Sequence, residues 1–363
     1  MRAKHGPDAP PTHGGPDALG VPECDFSSNA NACGHWPVAE QAVRAADARH
    51  YPDPAYTALT RQLAHWHGVA PERIVLAASA SEFIQRISTA VALAAAPGAA
   101  RVWLPPHAYG DYARAAAAAG LPRTGEAAQA ALLWACEPSS PFGQAQPGLA
   151  DQVAALHPGQ ALVLDQAYEP LRLQGAPSLG DAALARVWRL VTPNKALGLT
   201  GVRAAYAIAP QAAHVALLAR VRALAPSWPL GGHGVALLQC WATPAAQHWL
   251  AATHQTLSGW QQRQRVLLQA LGWCVEPGDA NVMVATPGLS ASPWPSAQLG
   301  PALAALRRSG IKLRDCASFG LPGKVRLAVA PPEQQDRLAA AWQALAAARS
   351  GQGAVASSDN TGT

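Results

Sequence analysis

Four lysines, Lys4, Lys195, Lys312 and Lys324, stand in a chain that otherwise takes its positive charge from arginine. Lys195 lies in the apolar, glycine-punctuated run VTPNKALGLTGVR, Val191 to Arg203. Arginine cannot readily release its proton, whereas a desolvated lysine amine can do so and attack a carbonyl, so lysine at such a place points to nucleophilic chemistry. Asp165 follows the apolar run ALVL directly. A carboxylate there ends a buried strand, a costly position unless a positive group joins it; capping a helix is the plain alternative use of Asp. With Tyr168 three residues on and Lys195 at the next strand end, the set fits a pyridoxal phosphate site. In such a site the lysine forms a Schiff base with the cofactor and an acidic residue holds the ring nitrogen, which keeps the ring a good electron sink.

These residues need a frame that brings them together. Short apolar runs alternate along the middle of the chain with polar loops and helix-like segments: RIVLAAS before ASEFIQRISTAVALA, ARVWLPP before HAYGDY, AALLWAC before EPSSPFG, GQALVLD before QAYEPL, and RVWRLVT before PNKALGL. Continuous apolar strands alternating with helices predict an α/β fold with a mainly parallel central sheet between helices. Ligands bind such sheets beyond the carboxyl ends of the strands. Ser79 and Ser81, His107 and Tyr109, Ser139 and Ser140, Asp165 and Tyr168, and Thr192 and Lys195 all fall at those ends, so one site is expected to collect them. After about Trp241 the pattern shifts to long helical segments, short strands near CVEP, NVMVAT and KVRLAVA, and a last helix around PEQQDRLAAAWQALAAA, which predicts a smaller α+β unit.

Composition narrows the function classes. Hydrophobic residues make up 50% of the 363, but the longest apolar run, Ile87 to Ala96, is interrupted by Ser88 and Thr89 and too short to span a bilayer. The N-terminus has no apolar core of the kind a secretory signal needs, so a cytoplasmic protein is expected. The six cysteines form no C-x-x-C pair and the twelve histidines no H-E-x-x-H, which predicts reduced thiols and no metal site. Net charge is +5, but the arginines are dispersed without a basic run, so no nucleic-acid partner is expected; a mild positive field suits an anionic substrate.

Five stretches carry a resemblance. TPNKALGLTGVR resembles the S-x-S-K-x-x-x-L-x-G-x-R lysine region of the fold-type I, class I/II aminotransferase family. LDQAY is similar to its D-E-A-Y, EPSSPFG to its N-P-x-N-P-T-G loop, HYPDP to its Y-P-D-P, and GKVRLAVA to its carboxylate-binding arginine segment. They occur in family order from about residue 13 to 345. The resemblance implies the fold of pyridoxal 5'-phosphate-dependent transferases, with Lys195 bonded to the cofactor, Asp165 on the pyridine nitrogen and Tyr168 at the ring oxygen. It implies further that Thr192, Arg203 and the amides of Ser79, Ala80 and Ser81 hold the cofactor phosphate at a helix N-terminus, where exposed N–H groups favour anions. Tyr109 would stack on the ring, Tyr51 would reach the phosphate of a partner subunit in a homodimer, and Arg326 would grip the substrate carboxylate. Ser140 replaces the family's Asn, which leaves its contact with the ring oxygen open.

Two further stretches narrow the resemblance. HGGPDALGVPECDFSSNANACG and LRDCASFGLPGKVRLAV are similar to the opening and closing motifs of the threonine-phosphate decarboxylases of cobalamin biosynthesis, with Ala32 where Pro is usual. By that analogy His13 and Arg314 receive a substrate phosphate, Gly14 and Gly15 bind the substrate beside them, and Asn29 or Asn31 lines the pocket. The expected reaction is decarboxylation of L-threonine O-3-phosphate, a small phosphorylated amino acid. Histidinol-phosphate transamination is the first alternative and a non-catalytic, cofactor-binding regulatory protein the second. The expected layout is a disordered tail at 1–12, an arm at 13–45 joining the small domain, a large cofactor-binding domain at 46–240, a small domain at 241–350 and a disordered tail at 351–363.

Overall fold

Short strands that are apolar at every position bury both faces only inside a sheet covered on two sides, and that is where these runs lie. In the computed structural model, which describes residues 13–213, 215–289 and 292–358, six strands stand in the order Ile74–Ala77, Ala205–Ile208, Trp188–Val191, Ala161–Asp165, Leu132–Cys136 and Val102–Trp103. The last four are mutually parallel, and Ala205–Ile208 runs antiparallel to both its neighbours. This is the mainly parallel sheet expected from the sequence, with one strand, Ala205–Ile208, that the alternation of runs did not single out.

Side chains alternate between the faces of the sheet. Trp134, Val163 and Trp188 pack with Phe83, Ile87 and Tyr112 from the helices Ala80–Ala92 and Gly110–Ala118. Leu133, Ala135, Leu162 and Leu164 pack on the other face with Leu149 and Val153 of the helix Leu149–Ala154. The register aligns the carboxyl ends: Cys136 pairs with Asp165, and Asp165 with Leu190. The loops that follow these strands therefore open at one edge.

After Trp241 the character changes as the sequence predicts. The helix Pro244–Ala270 begins with proline at its first position and with the Thr243 hydroxyl accepting from the Ala246 N–H at 3.3 Å. A four-stranded antiparallel sheet follows in the order Arg314–Asp315, Val325–Ala328, Val282–Thr286 and Cys274–Val275. The N-terminal arm joins this part: Cys24–Asp25 pairs in parallel with Ile311–Lys312, and the Phe26 carbonyl accepts from the Ala328 N–H at 2.7 Å.

The expected tail at 351–363 is described only as far as Ser358, and 359–363 lie outside the described residues. The last helix runs from Pro332 to Ser358; no proline interrupts it, and the glycines at 351 and 353 cost about 1 kcal/mol each in a helix without ending it. The expected tail at 1–12 lies outside the described residues. No helix among the described residues is long and apolar enough to cross a membrane, and no group of three or more His, Cys, Asp or Glu among them could hold a metal ion.

Candidate active site

A cavity of about 1080 Å³ opens at the carboxyl ends of the parallel strands. Lys195 enters it half-buried, in the turn after Trp188–Val191, where the Gly198 N–H donates to the Lys195 carbonyl at 3.2 Å. Gly198 has φ +68° and sits so close to the arm that a Cβ would stand 2.3 Å from the Gly34 carbonyl oxygen. Only glycine meets both demands, and the lysine-bearing turn is thereby pressed against residues 31–35. The lysine Nζ lies 5.3 Å from the centroid of the Tyr168 ring.

Asp165 ends its strand 4% exposed. Its Oδ2 accepts from the Tyr112 hydroxyl at 2.7 Å and its Oδ1 from the Ala167 N–H at 3.0 Å. Burial raises its pKa above the ordinary carboxylate value, while the Tyr112 and Ala167 hydrogen bonds and the Lys195 charge pull it back. The carboxylate is thus built to face a positive group. Tyr112, fully buried, is held in place by stacking on Trp134 at 4.3 Å and 9°.

At the edge of the cavity the helix Ala80–Ala92 presents its N-terminus, with the Ser79 hydroxyl accepting from the Glu82 N–H at 3.1 Å. Ser81 donates to Asp111 Oδ2 at 2.6 Å, and Asp111 is paired through Oδ1 with Arg114, also at 2.6 Å. Thr192 Oγ1, buried in the same wall, has no hydrogen-bond partner among the described residues. Arg203 completes this side from an exposed position. An orphaned hydroxyl, a helix N-terminus and a guanidinium converging on one space suit a phosphate. Together with Lys195 and the buried Asp165 carboxylate, they fit the cofactor the sequence resemblance implies. Tyr109 closes the space, and its hydroxyl is pushed above its usual pKa by burial.

The opposite wall belongs to the C-terminal sheet and the arm. Arg326 donates to the Ser27 carbonyl at 3.0 Å and to Ser140 Oγ at 3.3 Å, and its buried Nε has no partner among the described residues. Arg314 donates to the Asp315 carbonyl at 2.7 Å and to Ser318 Oγ at 2.6 Å. His13 stands by Tyr109 at 6.1 Å between ring centroids; burial lowers its pKa, Asp111 raises it, and Arg114 and Arg314 lower it. Gly14 holds the arm here: a Cβ at that position would lie 1.9 Å from the Ser27 carbonyl oxygen. The Gly15 N–H donates to Ser27 Oγ at 2.8 Å.

The model of the family described as aminotransferase class I and II matches residues 18–341. The chain belongs to that family. A histidinol-phosphate aminotransferase from Rhodospirillum rubrum is 32% identical over 360 residues, covering 90% of each chain. Among solved structures, a histidinol-phosphate aminotransferase from Sinorhizobium meliloti in complex with pyridoxal-5'-phosphate superposes with a TM-score of 0.74 at 22% identity, over 93% of this chain and 96% of that one. An L-threonine-O-3-phosphate decarboxylase from Porphyromonas gingivalis does so with a TM-score of 0.71 at 19% identity, over 88% and 98%.

Within this class I and II chain, fifteen of the expected site residues line the cavity; Asn29, Asn31, Tyr51, His107 and Ser139 do not. Asn29 stands behind Tyr168 and donates to its hydroxyl at 3.1 Å. Asn31 turns away altogether: its Nδ2 donates to the Ala196 carbonyl at 3.1 Å and to Thr253 Oγ1 at 3.0 Å, while its N–H donates to the Lys195 carbonyl at 2.9 Å. Its amide is consumed in satisfying backbone of the lysine turn, so it positions Lys195 and cannot line the pocket. Tyr51 is 77% exposed and stacked on Trp228 at 4.3 Å. Ser140, the departure from the family loop, accepts from Arg326 and so helps orient that arginine. Sequence reasoning missed Tyr112, Asp111, Arg114 and Phe319. For Tyr112 a signal was present, since residues three apart at a helix start share a face and Tyr109 was already selected.

Proposed function

We propose that the chain is a pyridoxal 5'-phosphate-dependent carboxy-lyase that converts L-threonine O-3-phosphate to CO2 and (R)-1-amino-2-propanol O-2-phosphate, a step of cobalamin biosynthesis. The cofactor supplies an electron sink conjugated with the bonds at the substrate Cα. Lys195 would hold its aldehyde carbon, Asp165 its pyridine nitrogen, Tyr168 its ring oxygen, Tyr109 its face, and Thr192, Arg203 and the amides of Ser79 to Ser81 its phosphate. Arg326 takes the substrate carboxylate; Arg314 and His13 take the substrate phosphate, with Gly14 and Gly15 letting the arm reach it. The Cα–carboxylate bond breaks, CO2 leaves, and Lys195 returns a proton to Cα. The observation that carries this reading is the second polar wall, where Arg314 and the His13 ring face the cavity and the arm bearing His13 passes through Gly14, which admits no side chain. A homodimer in which Tyr51 reaches the partner's site, in the cytoplasm, belongs to the same reading.

The test is a product assay of the cofactor-loaded protein. Release of CO2 from O-phospho-L-threonine without any oxo acid supports decarboxylation. A keto product formed from histidinol phosphate only when 2-oxoglutarate is present supports transamination, the reading favoured by the name of the 32% identical relative.

Two substitutions probe the assignment of roles. Gly14→Ala should raise KM for the phosphorylated substrate by about tenfold or more while leaving cofactor binding unchanged, because the 1.9 Å approach to Ser27 forces the arm and His13 to shift; steady-state kinetics and cofactor titration report the two quantities separately. Tyr112→Phe should weaken cofactor binding by about tenfold, the size of a hydrogen bond to a charged group. It removes one of the contacts that lower the Asp165 pKa, so the loss should be read as a shift to higher pH in the titration of the bound cofactor's absorbance.

A further inference from the structure

Arg314 and Arg326 are directly opposite one another in the antiparallel ladder between Arg314–Asp315 and Val325–Ala328, a register in which like charges repel. They are only 6% and 7% exposed. Burial, and next the charge of Arg326, make the Arg314 guanidinium harder to protonate. The Asp315 charge acts on Arg314 in the opposite sense, and each guanidinium also donates to a backbone carbonyl and a serine hydroxyl. Two facing guanidiniums in a wall of low polarity repel one another, and an attraction shared by both offsets part of that repulsion.

Phe319 supplies it. The guanidinium carbons of Arg314 and Arg326 lie over its ring, at 5.1 and 5.6 Å from the centroid. The ring is itself fixed from several directions. It ends the turn Ala317–Phe319, which Gly320 closes at φ +77°. Its carbonyl accepts from His107 Nδ1 at 2.8 Å, a contact that reaches across from the loop after Val102–Trp103. Its side chain packs with Val284, Cys316, Phe142 and Leu321. An electron-rich face that cannot turn attracts each cation and offsets their mutual repulsion.

We infer that Phe319 is a specificity-determining residue: its ring assembles Arg314 and Arg326 into one receptor for a ligand that carries two anionic groups. The identity of those groups as a carboxylate and a phosphate rests on the proposed function. Without the ring, the two arginines no longer share an anchor, and the preference for a doubly anionic ligand over a singly anionic one is reduced.

Calorimetry on the cofactor-loaded full chain, in the Lys195→Ala background to prevent turnover, tests this with three probes: O-phospho-L-threonine, O-phosphoethanolamine, which lacks the carboxylate, and L-threonine, which lacks the phosphate. With Phe319 present, the doubly anionic probe should bind at least about a hundredfold more tightly than either of the others. Phe319→Leu, or Phe319→Met if the leucine variant does not fold, should cut that margin by about tenfold, the scale of a desolvated cation–ring contact. Phe319→Tyr, which keeps the face, should preserve it. With Lys195 present, the leucine variant should raise KM with little change in kcat. An undiminished margin in the leucine variant, or a tyrosine variant as impaired as leucine, overturns the role of Phe319 while turnover of O-phospho-L-threonine by the wild type leaves the proposed function standing. A parent protein that binds O-phospho-L-threonine no better than the singly anionic probes overturns the receptor, and a wild type that binds histidinol phosphate and transaminates it overturns the proposed function.

Discussion

Replacing Lys195 by alanine is expected to lower kcat by about four orders of magnitude, the upper range for loss of a positioned proton carrier, while the melting temperature of the cofactor-free protein stays within a few degrees of wild type. The side chain is half-buried in a turn held by other atoms: the Asn31 N–H on the Lys195 carbonyl and the close seat of Gly198 against Gly34. Those contacts survive truncation beyond Cβ. The amine, by contrast, is placed beside Tyr168 and within electrostatic reach of Asp165, and no other lysine among the described residues lines the cavity. Turnover measured with and without added methylamine separates loss of the amine from loss of the fold.

Asp165→Asn is expected to lower kcat by about a hundred- to a thousandfold, the scale for removing one preorganised electrostatic partner of a developing charge. It should also shrink the rise in melting temperature that pyridoxal phosphate produces. The sign follows from the raised pKa of this carboxylate. A carboxyl whose pKa is higher in the folded than in the unfolded state costs stability once both are ionised, so the cost is absent below the unfolded value and complete above the folded one. Above its folded pKa the cofactor-free protein therefore carries a buried charge that Tyr112, Ala167 and Lys195 offset only in part, and a cationic ring beside it relieves the rest. The asparagine variant has no such charge to relieve. Differential scanning calorimetry with and without cofactor gives the comparison; an equal rise in both proteins would remove Asp165 from the ring-binding role.

The parts of this site legible in the sequence are those that topology alone brings together. In a parallel sheet, a residue just after each strand must reach the same edge, so the sequence alone groups Ser79, Tyr109, Ser140, Asp165, Thr192 and Lys195. What was not legible depends on where side chains turn and on long-range pairing. The strand Ala205–Ile208 is four residues, two of them alanine, next to a motif that already explained Arg203, and its antiparallel seat between Ile74–Ala77 and Trp188–Val191 is set by neighbours more than a hundred residues away on one side. Asn31 shares a motif with Asn29, but two residues of difference along an extended arm send its amide to Ala196 and Thr253 instead of toward Tyr168. Tyr112 meets Asp165 across 53 residues, and the facing of Arg314 and Arg326 over Phe319 is a matter of register that no local pattern encodes.

The most direct test of the central claim is borohydride reduction of the protein after incubation with pyridoxal 5'-phosphate, followed by peptide mass spectrometry. The account predicts a visible chromophore before reduction and, after it, one phosphopyridoxyl mass on the peptide containing Lys195. A colourless protein, or a tag confined to peptides holding Lys312 or Lys324, would contradict it.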